Sequence, residues 1–257
     1  MSNFIEAINA LEELSTKNSI SIFIPSLNRA VSFKPITVEQ QKNLLDCGYD
    51  NVIFHTKFIM TVYETIQKNC LEPDITNKLN IIDRLSIILH YRKSLFGDLI
   101  NTDDGRQINI SDFFNKIIKF SFAEKTIEWE HIKINLQIPK LLDQYEWEKE
   151  IRLNTTSLVG EKFVKALGEL MVEELSKSIK EIYINEKAIS YETLKISEKI
   201  DLTKKMPSAI SNKIIDFVKE LTDKQIELLT LRYENNNSEE NEESAILDVT
   251  LNTLTVK

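Results

Sequence analysis

Four side chains could bind a transition metal or carry nucleophilic chemistry: Cys47, His55, Cys70 and His90. They are separated along the chain by 8, 15 and 20 residues, unlike the paired ligands of structural zinc modules. We therefore expect no metal site, and we expect both cysteines to be buried as small apolar residues. Neither cysteine has the local signature of a catalytic thiol, although the sequence leaves open a Cys–His pair formed in space.

The acidic loop that ends at Gly105 has the composition of a calcium site. If Gly105 occupies the sixth position of a calcium-binding loop, the first, third and twelfth positions are Ile100, Thr102 and Ser111. These residues lack the carboxylates that such a loop requires. The sequence therefore predicts a turn here.

Glycine is scarce, with five residues in a chain of 257, and no two lie closer than eight residues apart. This spacing excludes the glycine-rich phosphate-binding loops, and the G-x-S-x-G nucleophile elbow is also missing. We expect no cofactor and no enzymatic activity. Gly160 and Gly168 fall in or beside a predicted helix interior, where glycine is unfavourable, so we expect a neighbouring backbone to pack closely there.

The charge balance of 32 basic and 40 acidic residues gives a formal net charge of −8, and the basic residues form no long block. A nucleic-acid partner is therefore not expected, because such binding depends on neutralising phosphates. The sequence has neither an apolar run of about 18 residues, as a membrane span requires, nor the pattern of a signal peptide. Two cysteines are too few for a disulfide framework. These features predict a cytosolic location.

The elements that would position these side chains follow from hydrophobic periodicity. Residues 3–15 have the spacing of an amphipathic helix, with glutamates opposite the apolar stripe. Residues 20–33 alternate in two runs around a turn-forming segment, which is typical of a hairpin. Thr37 lies three residues before Gln40, which predicts a capping box and a helix that ends at about Cys47.

Further helices are expected at 50–69 and 80–96, then a turn-rich loop at 101–109 and a short helix capped by Ser111. Near His131 the alternation of residues 125–138 slips by one, which predicts a bulge or a tight hairpin. A charged helix at 141–151 and a long helix ending near 176 precede a strand. Pro207 begins another helix, and Thr222 with Gln225 predicts a second capping box at the start of the next.

The C-terminal region combines an acidic linker with a short apolar pattern. Residues 234–243 contain no apolar side chain and are expected to be a solvated tether. After them, Leu247, Val249 and Leu251 alternate like a strand without an adjacent partner. Such a tail could add to a sheet edge on this subunit or on another protein.

Three segments of the chain each resemble a short motif block of one protein family. The F-x-P-[LIM]-T-V motif of that family, with the E-Q that begins its next helix, corresponds here to Phe33, Pro35, Ile36, Thr37, Val38, Glu39 and Gln40. The Asp-Arg helix at residues 81–98, which closes on Gly97 and Asp98, resembles a second block. Residues 177–221, in which Met206 and Pro207 precede a helix, resemble a third. The family that these three segments resemble is the T-even-like phage baseplate hub and hub-assembly protein family.

The resemblance implies a non-enzymatic structural or assembly protein of the central hub of a contractile tail baseplate. Such a protein is made in the host cytoplasm and works by docking to other baseplate and hub proteins in a multi-subunit assembly of the virion tail. One alternative is a transient assembly chaperone that the mature virion lacks. A weaker alternative is an enzyme that depends on a cysteine or a metal.

Together, these observations predict an α+β protein of helices and short antiparallel hairpins, in two packed parts and a tail. The parts are residues 1–124 and 125–233, and the tail, with its linker and terminal strand, is 234–257. The predicted partner contacts are Ile22, Ile24, Phe33 and Pro35 in the hairpin, and Leu247, Val249 and Leu251 in the tail. Free strand edges would allow β-addition between subunits. The alternative for the hairpin residues is ordinary core packing.

Overall fold

The computed structural model describes residues 2–47, 54–101, 107–150, 171–233 and 243–246. Helices and small antiparallel sheets alternate along these residues, which confirms the predicted α+β class. The chain divides into two compact units, of which the first contains residues 1–120 and 228–257 and the second contains residues 121–227. That the parts predicted from the sequence fold as separate domains stays a prediction.

The first unit begins with helix α1 (Ser2–Lys17), followed by a β-hairpin of β1 (Ile20–Ile24) and β2 (Arg29–Phe33). A single 3-10 turn connects the strands and ends at Asn28, whose φ of 49° lies in the left-handed region that asparagine tolerates. The antiparallel pairing runs from Ile20 opposite Phe33 to Ile24 opposite Arg29. The predicted hairpin is confirmed.

Three helices follow: α2 (Val38–Asp46), α3 (Phe54–Asn69) and α4 (Ile81–Phe96). The capping box predicted ahead of α2 is confirmed, because Gln40 N donates to Thr37 Oγ1 at 3.2 Å and Thr37 N donates to Gln40 Oε1 at 2.9 Å. Asn80 caps the start of α4, and Gly97, with a φ of 80°, ends it. A 3-10 segment, Pro73–Lys78, separates α3 from α4.

The segment predicted as a turn-rich loop differs in the structure. Two three-residue strands, β3 (Leu99–Asn101) and β4 (Gln107–Asn109), pair antiparallel on either side of it, while residues 102–106 lie outside the described part of the chain. Helix α5 (Ile110–Ile118) is capped by Asn109, whose Oδ1 accepts from Ser111 N at 2.9 Å. The prediction that Ser111 is the cap was therefore wrong.

The second unit contains a four-stranded antiparallel sheet in the order β5 (Lys125–Trp129), β6 (Ile132–Leu136), β7 (Ile179–Ile184) and β8 (Lys187–Ile189). The alternation of apolar residues slips near His131 because β5 and β6 are joined there by a tight hairpin, whose turn contains Glu130 with a φ of 51°. Asn185 and Glu186, with φ of 49° and 65°, close the turn from β7 to β8. The sequence pattern near His131 predicts either a bulge or a tight hairpin, and the structure shows the hairpin.

Four helical segments accompany this sheet: α6 (Leu141–Glu150), α7 (described over residues 171–177), α8 (Ile196–Lys204) and α9 (Ser208–Leu229). One face of the sheet packs against α9 around a buried core that consists of Ile127, Ile134, Leu136, Leu175, Ile179, Ile182, Tyr191, Ile210, Ile214 and Phe217. The predicted end of a helix near 176, followed by a strand, is confirmed. Gly160 and Gly168 lie outside the described residues.

Helix α9 is longer than predicted. It continues without a break past Thr222, where the sequence had suggested that a new helix begins. Thr222 Oγ1 donates to Val218 O at 2.9 Å, so its hydroxyl is satisfied inside the helix and does not cap one. The prediction of a second capping box at Thr222 and Gln225 was therefore wrong.

The C-terminal hairpin also differs from the expectation. Strand β9 (Thr230–Tyr233) pairs antiparallel with β10 (Glu243–Ile246), from Tyr233 opposite Glu243 to Thr230 opposite Ile246. The sequence pattern predicts that Glu243 belongs to the linker and that the strand after it has no adjacent partner, so both predictions differ from the structure. Leu247, Val249 and Leu251 lie outside the described residues, and their role as a strand stays a prediction.

Candidate docking site

The hairpin β1–β2 is the feature for which the sequence predicted partner contacts. Ile22, Ile24 and Phe33 are all fully buried, and they share the inner face of the hairpin with Val31. This position matches the alternative of core packing, so these three side chains hold the hairpin in place, and any contribution to docking stays a prediction. Pro35, which follows β2, is half-buried.

A buried carboxylate attaches the tip of the hairpin to helix α4. Asp83, which has no exposed surface, accepts from Ser26 N at 2.9 Å and from Ser26 Oγ at 2.6 Å, and its Oδ2 also accepts from Asn80 N at 2.7 Å. Burial raises the pKa of Asp83, and the bonds from Ser26 and Asn80 oppose this effect. The carboxylate thus serves two elements, because it completes the cap of α4 and fixes the hairpin turn.

The two edges of the hairpin are in different environments. On the β2 side, Lys34 N donates to Asn69 O at 2.8 Å and Leu71 N donates to Ser32 O at 3.0 Å, so residues 69–71 cover that edge. On the β1 side, Ser86 Oγ donates to Phe23 O at 2.6 Å. In the described part of the chain, β1 pairs with no strand other than β2, and its Ser21 is exposed.

The motif after β2 forms a rigid corner. Gln40 and Asn69 exchange two amide hydrogen bonds, of 3.0 and 3.1 Å, which join α2 to the end of α3. Phe33 meets the ring of Tyr91 edge-on, with the centroids 6.4 Å apart, and burial raises the pKa of Tyr91. Val38, at the start of α2, is 83% exposed. The motif therefore presents Val38 to solvent, a residue that we had not selected as a partner contact.

Two basic side chains of α4, Arg92 and Lys93, bind groups close to the end of the helix. Arg92 is buried and donates to Gly97 O at 3.3 Å and to Leu99 O at 3.2 Å, so it holds the end of α4 to β3. Lys93 forms an ion pair with Asp98 at 2.8 Å. These contacts assign Arg92 a structural role.

The cysteines and His90 have separate surroundings. Cys47 Sγ donates to Asn43 O at 3.2 Å, and Cys70 Sγ donates to Glu72 O at 3.3 Å; both cysteines are buried and free. Burial raises the pKa of Cys70. His90 stacks on Phe114 with the centroids 4.0 Å apart, and burial lowers its pKa. Within the described residues, no three His, Cys, Asp or Glu side chains form a cluster suited to a metal ion.

The open face of the four-stranded sheet carries a chain of polar contacts. Thr126 Oγ1 donates to Asn135 Oδ1 and Asn135 Nδ2 donates to Glu181 Oε2, both at 3.0 Å. Tyr183 OH also donates to Glu181 Oε2, at 3.1 Å. The bonds from Asn135 and Tyr183 lower the pKa of Glu181. This face is organised by hydrogen bonds across three strands, which periodicity did not indicate.

A model of the protein family described as T4 bacteriophage base plate protein matches residues 17–250. The match includes the hairpin, the Asp83 anchor and the four-stranded sheet. No curated protein and no solved structure matches the chain. Among the described residues, no helix combines the length and the apolar character needed to cross a membrane.

Proposed function

The chain belongs to the family of T4 bacteriophage base plate proteins and is a structural protein of a phage baseplate, and we propose that it acts in the central hub of a contractile tail. In this proposal it is not an enzyme, and it works by docking to other baseplate proteins. The family match, which covers residues 17–250, supports the baseplate part of this proposal. The hub is the location that the resemblance of the hairpin motif implies.

The geometry of the hairpin supports docking. The Asp83 anchor and the Gln40–Asn69 amide pair fix the hairpin and its following corner in one arrangement. A rigid element loses little conformational entropy when it binds. The corner presents Val38 to solvent, where a partner protein could contact it.

The place of action follows from the same proposal. The chain would be made in the host cytoplasm, join hub proteins there, and reach the virion as part of the tail baseplate. A transient chaperone would share the first two steps and would then leave the assembly.

Infection with a phage that carries a nonsense mutation in this gene tests the proposal. We expect electron microscopy of the lysate to show filled heads without complete baseplates, and expression of the full chain from a plasmid should restore them. Normal tails in the mutant lysate would refute a role in the baseplate. Cys47→Ser with Cys70→Ser in the same assay tests the enzyme alternative, since a catalytic thiol predicts loss of infectivity and our proposal predicts none.

A further inference from the structure

Helix α1 has an apolar face that is exposed in the described part of the chain. Of the ten large hydrophobic side chains that are exposed in the described residues, five belong to this one helix. They are Phe4, Ile5, Ile8, Leu11 and Leu14, with exposed fractions of 71, 57, 40, 66 and 54%. At 100° per residue, these five side chains lie on one side of the helix. A contiguous exposed apolar face of this kind marks an interaction surface.

The spacing of this face fits one mode of recognition. Phe4, Ile8 and Leu11 stand at i, i+4 and i+7, the anchor positions of an amphipathic helix that lies in an apolar groove. Leu14 continues the line by another turn. Helix α1 is only 16 residues long, and isolated helices of that length are marginally stable in water, so burial of this face would also stabilise the helix itself.

The charges on α1 indicate what borders the groove. At 100° per residue Glu12 lies between Ile8 and Ile5, inside the arc of the apolar side chains, and Glu6 and Glu13 occupy the polar side. Lys17, the basic residue of this helix, pairs with Glu13 at 4.0 Å. An acidic helix is complemented by lysine or arginine at the rim of its groove. The same charges disfavour an anionic membrane, which attracts helices with basic polar faces.

A second copy of the chain is a less suitable partner for the apolar face of α1. Self-pairing would bring together two acidic helices from chains that each carry a net charge of −8. The apolar positions span residues 4–14, about one and a half heptads, whereas a coiled coil is sustained over about three or four.

We propose that α1 docks as an amphipathic helix into an apolar groove, bordered by lysine or arginine, on another baseplate protein. Only the identity of the partner as a baseplate protein rests on the proposed function. The family match begins at residue 17, so the docking helix precedes the matched residues and supplies a contact separate from them.

Site-specific photocrosslinking in infected cells tests this inference. The full chain carries benzoylphenylalanine in place of Leu11, and a control chain carries it in place of Asn9, on the polar side of α1. We expect Leu11 to crosslink to one phage tail protein, within an apolar segment flanked by Lys or Arg, with a yield at least about tenfold above that of Asn9. Crosslinks mainly to a second copy, or equal yields at both positions, would overturn the inference.

A double variant, Ile8→Asp with Leu11→Asp, separates this inference from the proposed function. Its melting temperature should equal that of the wild type, because both residues are exposed, but its incorporation into isolated hub intermediates should fall by at least about tenfold. If the variant enters them as the wild type does, the helix contact is wrong and the hub role stands. If the wild-type chain itself never appears in them, the hub role is wrong.

Sedimentation with vesicles of phosphatidylcholine and phosphatidylglycerol tests the alternative that α1 binds an anionic membrane. We expect the full-length wild-type chain to stay in the supernatant. Co-sedimentation that the Ile8→Asp, Leu11→Asp variant abolishes would show that α1 binds lipid and would overturn the proposed protein groove.

Discussion

Ser26 and Asp83, 57 residues apart in the sequence, form two hydrogen bonds that join the hairpin turn to the first turn of helix α4. Ser26 donates through its backbone N–H to one carboxylate oxygen at 2.9 Å and through Oγ to the other at 2.6 Å. Because Asp83 is completely buried, the carboxylate cannot replace either bond with one from water. The pair thus fixes the position of the hairpin on α4, next to the corner that presents Val38.

Replacing Ser26 with Ala should therefore destabilise the first unit. The variant removes one charge-assisted bond and leaves a buried carboxylate oxygen with fewer donors, which costs about 1 to 3 kcal/mol in the free energy of unfolding. Urea denaturation measures this loss. Ser21→Ala, at an exposed residue of the same hairpin, is the matched control and should change the free energy by less than about 0.5 kcal/mol. Equal effects of the two substitutions would show that the Asp83 anchor contributes little.

His90 should make stability depend on pH. Burial lowers its pKa from the ordinary value of 6.5, so the unfolded chain takes up a proton at a higher pH than the native protein. The contribution of neutral His90 is complete above about pH 6.5 and is lost as the pH falls through the lower native pKa, with a slope of up to about 1.4 kcal/mol per pH unit.

Urea denaturation between about pH 5.5 and 8 tests this dependence. We expect His90→Gln to have a flatter profile than the wild type over the acidic half of the range. His131→Gln, at an exposed turn residue, serves as the control and should retain the wild-type slope. A slope that His90→Gln leaves unchanged would assign the dependence to other groups.

Phe217 should be essential to the second unit. Its side chain is fully buried between the sheet and α9, and it meets Phe122 edge-on at a centroid distance of 5.2 Å. Phe217→Ala should cost about 3 to 5 kcal/mol in the free energy of unfolding, because it loses the buried area and leaves a cavity. Lys219→Ala, on the exposed side of α9, should leave the free energy of unfolding close to that of the wild type. If thermal melting of the two variants coincides, the described core is wrong.

The terminal residues provide a separate test of β-addition. A triple substitution, Leu247→Ser, Val249→Ser and Leu251→Ser, removes the alternating apolar pattern and retains both β9 and β10. We expect lower incorporation of the chain into hub intermediates with no change in its melting temperature, as quantified by immunoblotting and calorimetry. Asn252→Ser is the control. Wild-type incorporation of the triple variant would exclude these residues as partner contacts.

Local signals in the sequence were sufficient to predict several elements of the fold. The hairpin followed from two alternating runs around a turn, and the Thr37–Gln40 box followed from a spacing that acts within a single helical turn. The same spacing misled at Thr222, because a threonine hydroxyl can also bond to a carbonyl one turn earlier inside a continuous helix. At α5, Asn109 and Ser111 are both good caps, and periodicity does not choose between neighbours two residues apart.

The features that matter most for docking depended on contacts between distant residues. Nothing near Ser26 indicates that Asp83 will accept its hydrogen bonds, and nothing near Gln40 indicates Asn69. The amphipathic pattern of α1 predicted a helix correctly, but the pattern is the same whether its apolar face packs within the subunit or remains exposed. Only the fold distinguishes those two cases.

Quantitative mass spectrometry of purified virions and of isolated hub intermediates tests the central claim most directly. A structural hub protein should be present in both, at a constant ratio to the other hub proteins. Presence in the intermediates but not in virions would contradict a structural role and identify a transient assembly chaperone. If the chain is missing from both preparations, it has no role in the hub.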